Sequence, residues 1–165
     1  MERNEVVDHV IRTETEIQYI WNLNLEAFPQ LILARDLLVF GCYTGLRYSD
    51  IHSLQPYHFK KVIVGSDTHT AIQKNQKKVN EKVHIALIHL AKIVAEKYKY
   101  DLPKMHMNDF NEKIKKIAEI AGLDEYIPIS HKHGKTIEEE VYKKYELMSS
   151  HICRRSFATY VSKRS

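Results

Sequence analysis

The spacing of apolar residues is helical near both ends of the chain and changes in between. Thr13 and Glu16 form a capping box, which predicts the start of a first helix. The apolar face of that helix contains Ile17, Ile20 and Leu23. Pro29 suits the first turn of a second helix, which should end near Gly45. A short third helix is predicted over residues 48–54.

Between residues 59 and 87 the apolar positions form short β-prone runs instead. These runs are Val62-Ile63-Val64, Thr70-Ala71-Ile72 and Val83-His84-Ile85. Turn-forming residues separate them, at Gly65-Ser66-Asp67 and at Val79-Asn80-Glu81. Three short runs joined by two tight turns predict a small three-stranded antiparallel sheet.

Helical spacing returns in the second half of the chain. It predicts one helix over residues 88–98 and another over 108–121, with Gly122 as its C-cap. Residues 126–147 lack a clear period, and we interpret them as a loop with room for a second hairpin. Ser150 is the expected cap of a last helix. The fold class is therefore α+β, a mostly helical domain with a small three-stranded antiparallel β-sheet.

Charge is distributed unevenly along the 165 residues. The net charge is +4, but residues 1–36 carry three basic and seven acidic side chains, whereas residues 37–165 carry 22 basic and 14 acidic ones. A basic body favours a polyanionic partner such as double-stranded DNA, because phosphate contacts release counterions. A Lys-rich surface that is simply solvated is the alternative interpretation.

The cysteines and the N-terminus bear on cellular location. Cys42 and Cys153 have no metal-type spacing and lie in helical patterns, so we expect buried, reduced thiols. No stretch resembles a signal peptide, and the longest apolar run is too short to cross a bilayer. These observations predict a cytoplasmic protein.

Two motifs place arginines at the starts of predicted helices. The first is Thr44-Gly45-Leu46-Arg47-Tyr48-Ser49-Asp50, and the second is Ser150-His151-Ile152-Cys153-Arg154-Arg155-Ser156-Phe157-Ala158-Thr159. An Arg side chain binds phosphate oxygens through two parallel hydrogen bonds and keeps its charge at any physiological pH. Two guanidiniums and the His151 imidazole would together bind a pentavalent phosphate. The alternative for the first motif is a surface ion pair between Arg47 and Asp50.

A Lys-rich segment between the motifs is a third element. It runs from Gln76 to Leu87 and contains Lys77 and Lys78 before the strand that ends at Leu87. Without the two arginine motifs, the simplest interpretation would be a hairpin whose lysines serve solubility.

These three elements, in this order, resemble the tyrosine recombinase (phage integrase) family over residues 14 to 165. The resemblance implies the fold of that family's catalytic domain and a role for each site residue. Arg47 and Arg154 would be the catalytic arginines, and His151 would assist proton movement. Asp50 would hold Arg47 or a neighbouring group in place.

The resemblance also implies a lysine general acid on the hairpin. Its position relative to the strand end favours Lys78, with Lys77 as the alternative and Lys74 as a weaker one. The family usually has Thr and Gly after this lysine, whereas Val79 and Asn80 follow here, which weakens the register.

The resemblance further implies site-specific DNA recombination, integration or excision of a mobile element, through a 3′-phosphotyrosyl intermediate. The partners would be double-stranded DNA and other protomers in a tetrameric synaptic complex, with no metal and no cofactor. Residues 1–13 would be an extension or linker remnant, and residues 14–165 a catalytic domain truncated before its nucleophile. We therefore assign no tyrosine of this chain as nucleophile and expect no DNA cleavage by the isolated chain.

Two alternatives stay open at this stage. The chain could be a non-catalytic DNA-binding module or regulator derived from a recombinase. His131-Lys132-His133 could bind a metal, although no third ligand stands at a suitable spacing, so we expect no metal site.

Overall fold

The computed structural model describes residues 14–76, 81–153 and 157, and for residues 76, 81, 132 and 133 it describes the backbone alone. Within these residues the chain is α+β, as the sequence predicts, with five α-helices and five strands in two antiparallel sheets. No helix among the described residues is long and apolar enough to cross a membrane.

The helices lie close to their predicted positions. They are α1 Glu14–Trp21, α2 Ile32–Thr44, α3 Tyr48–His52, α4 His89–Lys97 and α5 Met107–Ile120, with single 3-10 turns at Pro29–Leu31, Pro56–His58 and Lys144–Leu147. Pro29 opens a 3-10 turn that leads into α2. Thr13, the predicted cap of the first helix, lies outside the described residues.

Helix α2 is the centre of the core. From Asp36 to Thr44 every residue is buried, and α1, α4 and α5 all pack against this helix. A helix that is apolar on most of its circumference is stable only when other elements surround it. The largest enclosed side chains include Phe40 and Tyr43 of α2 and Phe110 of α5. Because α2 ends at Gly45, this packed core fixes the position of the turn that carries Arg47.

One buried carboxylate joins three helical segments of this core. The Asp36 side chain has no exposed surface, and its Oδ1 accepts hydrogen bonds from Nε and Nη2 of Arg35 at 3.1 and 3.0 Å. Its Oδ2 accepts from Nζ of Lys97 at 2.5 Å and from the Tyr98 hydroxyl at 2.7 Å. Arg35 also donates to the backbone oxygens of Trp21 and Leu23 after α1. A buried charge needs such partners, and here they tie α2 to α4 and to the end of α1.

The three-stranded sheet confirms the predicted antiparallel arrangement. Its strands are β1 Phe59–Val64, β2 Asp67–Gln76 and β3 Glu81–Ala86, in the order β1-β2-β3. Phe59 pairs with Ile72 and Ile72 with Ile85, so these three apolar side chains share the face that packs on the core. The predicted second turn falls largely on residues 77–80, which lie outside the described residues.

At residues 126–147 the structure forms the second hairpin for which the sequence left room, and this hairpin replaces the expected loop over most of the segment. Strands β4 Tyr126–His133 and β5 Thr136–Lys143 form a hairpin closed by a two-residue turn at Gly134. Exposed apolar side chains stand on one of its faces, namely Tyr126, Ile137 and Val141. The alternation of apolar and polar residues that signals a strand is weak here, because β5 is exposed on both faces over most of its length.

Candidate active site

The first arginine motif forms a tight turn between two helices. Gly45 has a φ of 68°, a left-handed conformation, and its N–H donates to the oxygen of Gly41 at 2.9 Å. Arg47 follows in an extended conformation directly before α3. Its neighbours Leu46 and Tyr48 are buried, whereas Arg47 itself is exposed. The turn therefore anchors the backbone on both sides and leaves the guanidinium accessible to a ligand.

The second motif packs directly on this turn. A Cβ added at Gly45 would lie 2.5 Å from Cδ1 of Phe157, and one added at Gly41 would lie 2.7 Å from Sγ of Cys153. Real Cβ contacts are essentially never so short, so a side chain at either position would displace Phe157 or Cys153. Cys153 Sγ also lies 3.7 Å from the oxygen of Leu38, a residue 115 positions away in sequence. The two motifs thus meet through a close backbone approach.

His151 is exposed at the start of the last helical segment. The backbone N–H of Ser150 donates to Oδ1 of Asn111 on α5 at 2.9 Å, and Ile152 is buried. These two contacts fix the backbone on either side of His151. Asn111 was missed by the sequence analysis, because nothing in the period of an amphipathic helix marks one of its polar residues as a tertiary contact. Arg154 lies outside the described residues.

Asp50 is held beside a lysine of the sheet. Nζ of Lys74 donates to the backbone oxygen of Asp50 at 2.9 Å and to Oγ of Ser53, and it lies 3.7 Å from Oδ1 of Asp50. Lys74 lies two residues after the buried Ile72 on β2, so both side chains project from the core-facing side of the sheet, and that of Lys74 reaches the α3 segment. The structure therefore brings Lys74, the weakest of the three lysine candidates, to the first motif. Lys77 and Lys78 lie outside the described residues.

The buried groups next to the site are kept neutral. The hydroxyl of Tyr48 donates to the oxygen of Met105 at 2.6 Å, and its ring stacks on Phe110 at 4.2 Å. Burial, followed by the charge of Asp109, raises the pKa of Tyr48 to about 12. Cys42 and Cys153 are both buried free thiols, and a hydrogen bond with Cys42 together with burial raises the pKa of Cys153. The neutral, enclosed thiol of Cys153 is therefore a poor nucleophile.

Other clusters in the described part of the chain lie apart from this turn. Nε2 of His131 lies 3.4 Å from Oε2 of Glu140 across the β4–β5 hairpin, and no group of three potential metal ligands occurs among the described residues. An open groove of about 350 Å³ lies between α1, α2 and α4. Its lining consists of Glu14, Gln18, Trp21, Asn22, Tyr43, His89, Leu90 and Ile93, which includes none of the predicted site residues.

Comparison of the sequence with models of protein families, with curated proteins and with solved structures yields no match. A functional assignment therefore depends on the two arginine motifs, on the chemistry of their side chains and on the way they pack.

Proposed function

We propose that this chain provides the phosphate-binding part of a tyrosine recombinase catalytic domain that acts on double-stranded DNA. One observation carries the proposal. The segment with His151 packs, through Cys153 and Phe157, on the glycines that precede Arg47. In a protein where the two motifs occurred by chance, nothing would require them to meet. Their contact is the arrangement that a shared phosphate site needs.

The proposed chemistry assigns each group a role in transesterification. Arg47 and Arg154 stabilise charge on the non-bridging oxygens of the reacting phosphate, and they do so without a metal. His151 assists proton transfer at the same phosphate. The reaction needs a tyrosine that attacks phosphorus and expels a 5′-hydroxyl, and no tyrosine of this chain is assigned that role.

The contacts of Lys74 support different roles for Lys74 and Lys78. Its ammonium holds the α3 segment through Asp50 and Ser53, which suits a positioning role. Lys78 remains the proposed general acid that protonates the leaving 5′-oxygen, with Lys77 as the alternative. In this proposal the contact between Asp50 and Lys74 holds α3 in place, and α3 is the helix whose start carries Arg47.

Duplex binding by fluorescence anisotropy, measured at about 50 and about 200 mM salt, tests the proposal. We expect a steep salt dependence and an affinity loss of about tenfold in Arg47→Ala. The loss should be smaller in Arg47→Lys, which keeps the charge but not the paired hydrogen bonds. Lys116→Ala is the matched control, because Lys116 is an exposed lysine paired only with Glu119 on α5. An Arg47→Ala chain that binds like the control would refute the proposal.

A double-mutant cycle asks whether Arg47 and His151 bind the same phosphate. If they do, the affinity losses of Arg47→Ala and His151→Ala should be non-additive by about 0.5 kcal/mol or more. Strict additivity would indicate that the two side chains contact the DNA independently. A nicked suicide duplex then probes the chemistry on a denaturing gel, where we expect no covalent adduct with this chain. An adduct mapped to Tyr145 or Tyr160 would show that the nucleophile is present after all.

A further inference from the structure

Two strand edges of this molecule carry charges of opposite sign. In the three-stranded sheet β1 pairs with β2 alone, and in the hairpin β5 pairs with β4 alone, so the outer edge of each strand has no partner among the described residues. About half of the backbone N–H and C=O groups of such an edge strand point away from its sheet. Each edge can therefore accept one further strand.

The side chains on both strands are exposed and combine charge with apolar surface. On β1 the exposed Lys60 and Lys61 precede Ile63, which is 75% exposed. On β5 Ile137 is 68% exposed, and it precedes the exposed run Glu138-Glu139-Glu140. An exposed isoleucine on a free edge favours pairing with another strand, and the charges beside it decide which strand is accepted.

Contacts within the hairpin leave β5 accessible. The Tyr142 hydroxyl donates to Glu140, and Nε2 of His131 lies 3.4 Å from the same carboxylate, yet the Glu140 side chain is still 57% exposed. From Thr136 to Val141 every residue of β5 is exposed. A two-stranded hairpin is only marginally stable in water, so a third strand on this edge would stabilise it.

The charges favour contact between unlike edges. Pairing of two β1 edges would bring lysines together, and pairing of two β5 edges would bring glutamates together. Like charges directly opposite each other destabilise a strand pair, whereas opposite charges stabilise it. The charges therefore disfavour a symmetric contact of either edge with itself and favour β1 against β5.

One antiparallel register satisfies both the charged and the apolar residues. Its pairs include Lys60–Glu140, Lys61–Glu139 and Ile63–Ile137. Opposite residues of an antiparallel pair project from the same face with their Cβ atoms about 4.5–5.5 Å apart, which permits ion pairs and apolar contact. Shifts by two residues, which keep the same faces together, would place Lys61 opposite Ile137 or Val141. The charges therefore select the first register over these two.

We propose that the β1 edge of one copy of this chain pairs in this antiparallel register with the β5 edge of a second copy. Each copy has one edge of each kind, so the contact is heterologous, and repeated contacts close into a ring or extend into a chain. A single strand pair is a small interface, so the association is weak and transient. The inference goes beyond the proposed function and needs no DNA, so its failure would leave that function untouched.

Sedimentation of the parent chain without DNA, over a range of protein concentrations, tests for the association. We expect self-association that rises with concentration and weakens as salt is added, because salt screens the lysine–glutamate pairs. Association through apolar contacts alone would not weaken with salt. A chain that stays monomeric at every concentration, or an association that salt does not weaken, would overturn the proposal.

Charge reversal on each edge tests the partner surfaces. One variant is Lys60→Glu with Lys61→Glu, and the other is Glu139→Lys with Glu140→Lys. Each variant carries two edges of the same sign, so self-association should weaken by about tenfold or more. An equimolar mixture of the two variants should associate again, because the acidic β1 edge of one meets the basic β5 edge of the other. Recovery in the mixture also shows that both variants are folded.

The matched control for the lysine variant is Lys115→Glu with Lys116→Glu, which makes the same change of charge on the exposed side of α5. This control should associate like the parent chain. A lysine variant that behaves like the control, or a mixture that does not recover association, would show that the two edges do not pair.

Disulfide cross-linking tests the register. Ile63→Cys with Ile137→Cys should form disulfides between copies on mild oxidation, because opposite residues of an antiparallel pair have Cα atoms about 4.5–5.5 Å apart, within disulfide range. Cys42 and Cys153 are buried and do not compete. The control is Ile63→Cys with Val141→Cys, which uses the same face of β5 but brings the cysteines together only in a parallel pair. On a non-reducing gel, equal or stronger cross-linking in this control would overturn the antiparallel register.

Discussion

Two aspartates occupy contrasting environments in this molecule. Asp36 is fully buried and accepts hydrogen bonds from an arginine, a lysine and a tyrosine, whereas Asp50 is partly exposed and has one lysine at 3.7 Å. The partners of Asp36 all belong to the helical core. The lysine beside Asp50 comes from the sheet and also binds the backbone of α3. The comparison shows that a carboxylate enclosed by several donors holds the scaffold together, whereas one with a single, longer ion pair contributes less to it.

The largest expected difference between Asp36 and Asp50 is the loss of folding stability when each is replaced by alanine. Asp36→Ala leaves Arg35 and Lys97 without their buried partner, and we expect the free energy of unfolding to fall by about 3–5 kcal/mol. Asp50→Ala removes a longer ion pair, and Lys74 keeps its hydrogen bonds to the backbone oxygen at position 50 and to Ser53, so the cost should be smaller, about 1–2 kcal/mol. Urea denaturation of both variants at neutral pH measures the difference. Similar losses in the two variants would show that the difference in burial between the two carboxylates does not affect the free energy of unfolding.

A second experiment destabilises the turn before Arg47 by substituting Gly45. Gly45→Ala imposes the strain of a left-handed residue, about 1–2 kcal/mol, and a clash with Phe157 worth about 1–3 kcal/mol more. Gly122→Ala is the matched control, because Gly122 has a φ of 74° but nothing lies within 4 Å of its added Cβ. Its cost should be the strain alone, again by urea denaturation.

The expected clash with Phe157 also predicts that a smaller residue at position 157 restores part of the stability lost in Gly45→Ala. Combining Gly45→Ala with Phe157→Ala should cost less than the sum of the two single changes, because the smaller side chain makes room for the new methyl group. The same change at Phe157 should have no such effect on Gly122→Ala. Strict additivity in both pairs would mean that the last segment does not pack on the Arg47 turn.

The smallest expected effect concerns alkaline pH and compares Tyr98 with Tyr48. Burial and then the hydrogen bond to Asp36 raise the pKa of Tyr98, and burial raises that of Tyr48 to about 12. Both folded pKa values lie above the ordinary value of 10.0, so folding favours the neutral phenol. Stability that is fully present below pH 10 is therefore lost as the pH rises towards the folded values.

Urea denaturation at about pH 9 and about pH 11 measures this loss. Tyr98→Phe and Tyr48→Phe should each lose less stability over that interval than the parent chain does, because each lacks one phenol that ionises on unfolding. A parent chain whose stability does not change over the interval would contradict the expectation for both tyrosines.

Much of the fold follows from local patterns in the sequence. Gly45 and Pro29 bracket α2 as expected, and the three β-prone runs form the predicted sheet, because turn residues and apolar spacing are local properties. The sequence predicts the β4–β5 hairpin only as an alternative to a loop, because Glu138-Glu139-Glu140 interrupts the alternation of apolar and polar residues. Its strands pair through their mutual hydrogen bonds, and Ile129 of β4 is buried while β5 is exposed over most of its length.

The sequence predicts less of the candidate site than of the fold. The motif containing Arg47 identified an exposed guanidinium on a helix start. The hydrogen bond from Lys74 to Asp50 depends on the face of β2 from which the lysine side chain projects. The hydrogen bond from Lys104 to the backbone oxygen of Leu54 depends on the path of a loop. Asn111 contacts Ser150 only after two distant segments have packed together. Such contacts have no local sequence signal, because tertiary packing creates them.

The contact between the glycine turn and the last segment has a consequence for the order of folding. Leu38 and Cys153 are 115 positions apart, so the chain must close a long loop before the Arg47 turn acquires its covering residues. A nascent chain that has emerged only as far as α5 already contains the five α-helices and the three-stranded sheet. It lacks the segment that bears His151, and its closing contact is among the most non-local in the domain. During synthesis the five α-helices and the three-stranded sheet are therefore available before the segment that bears His151 can cover the Arg47 turn.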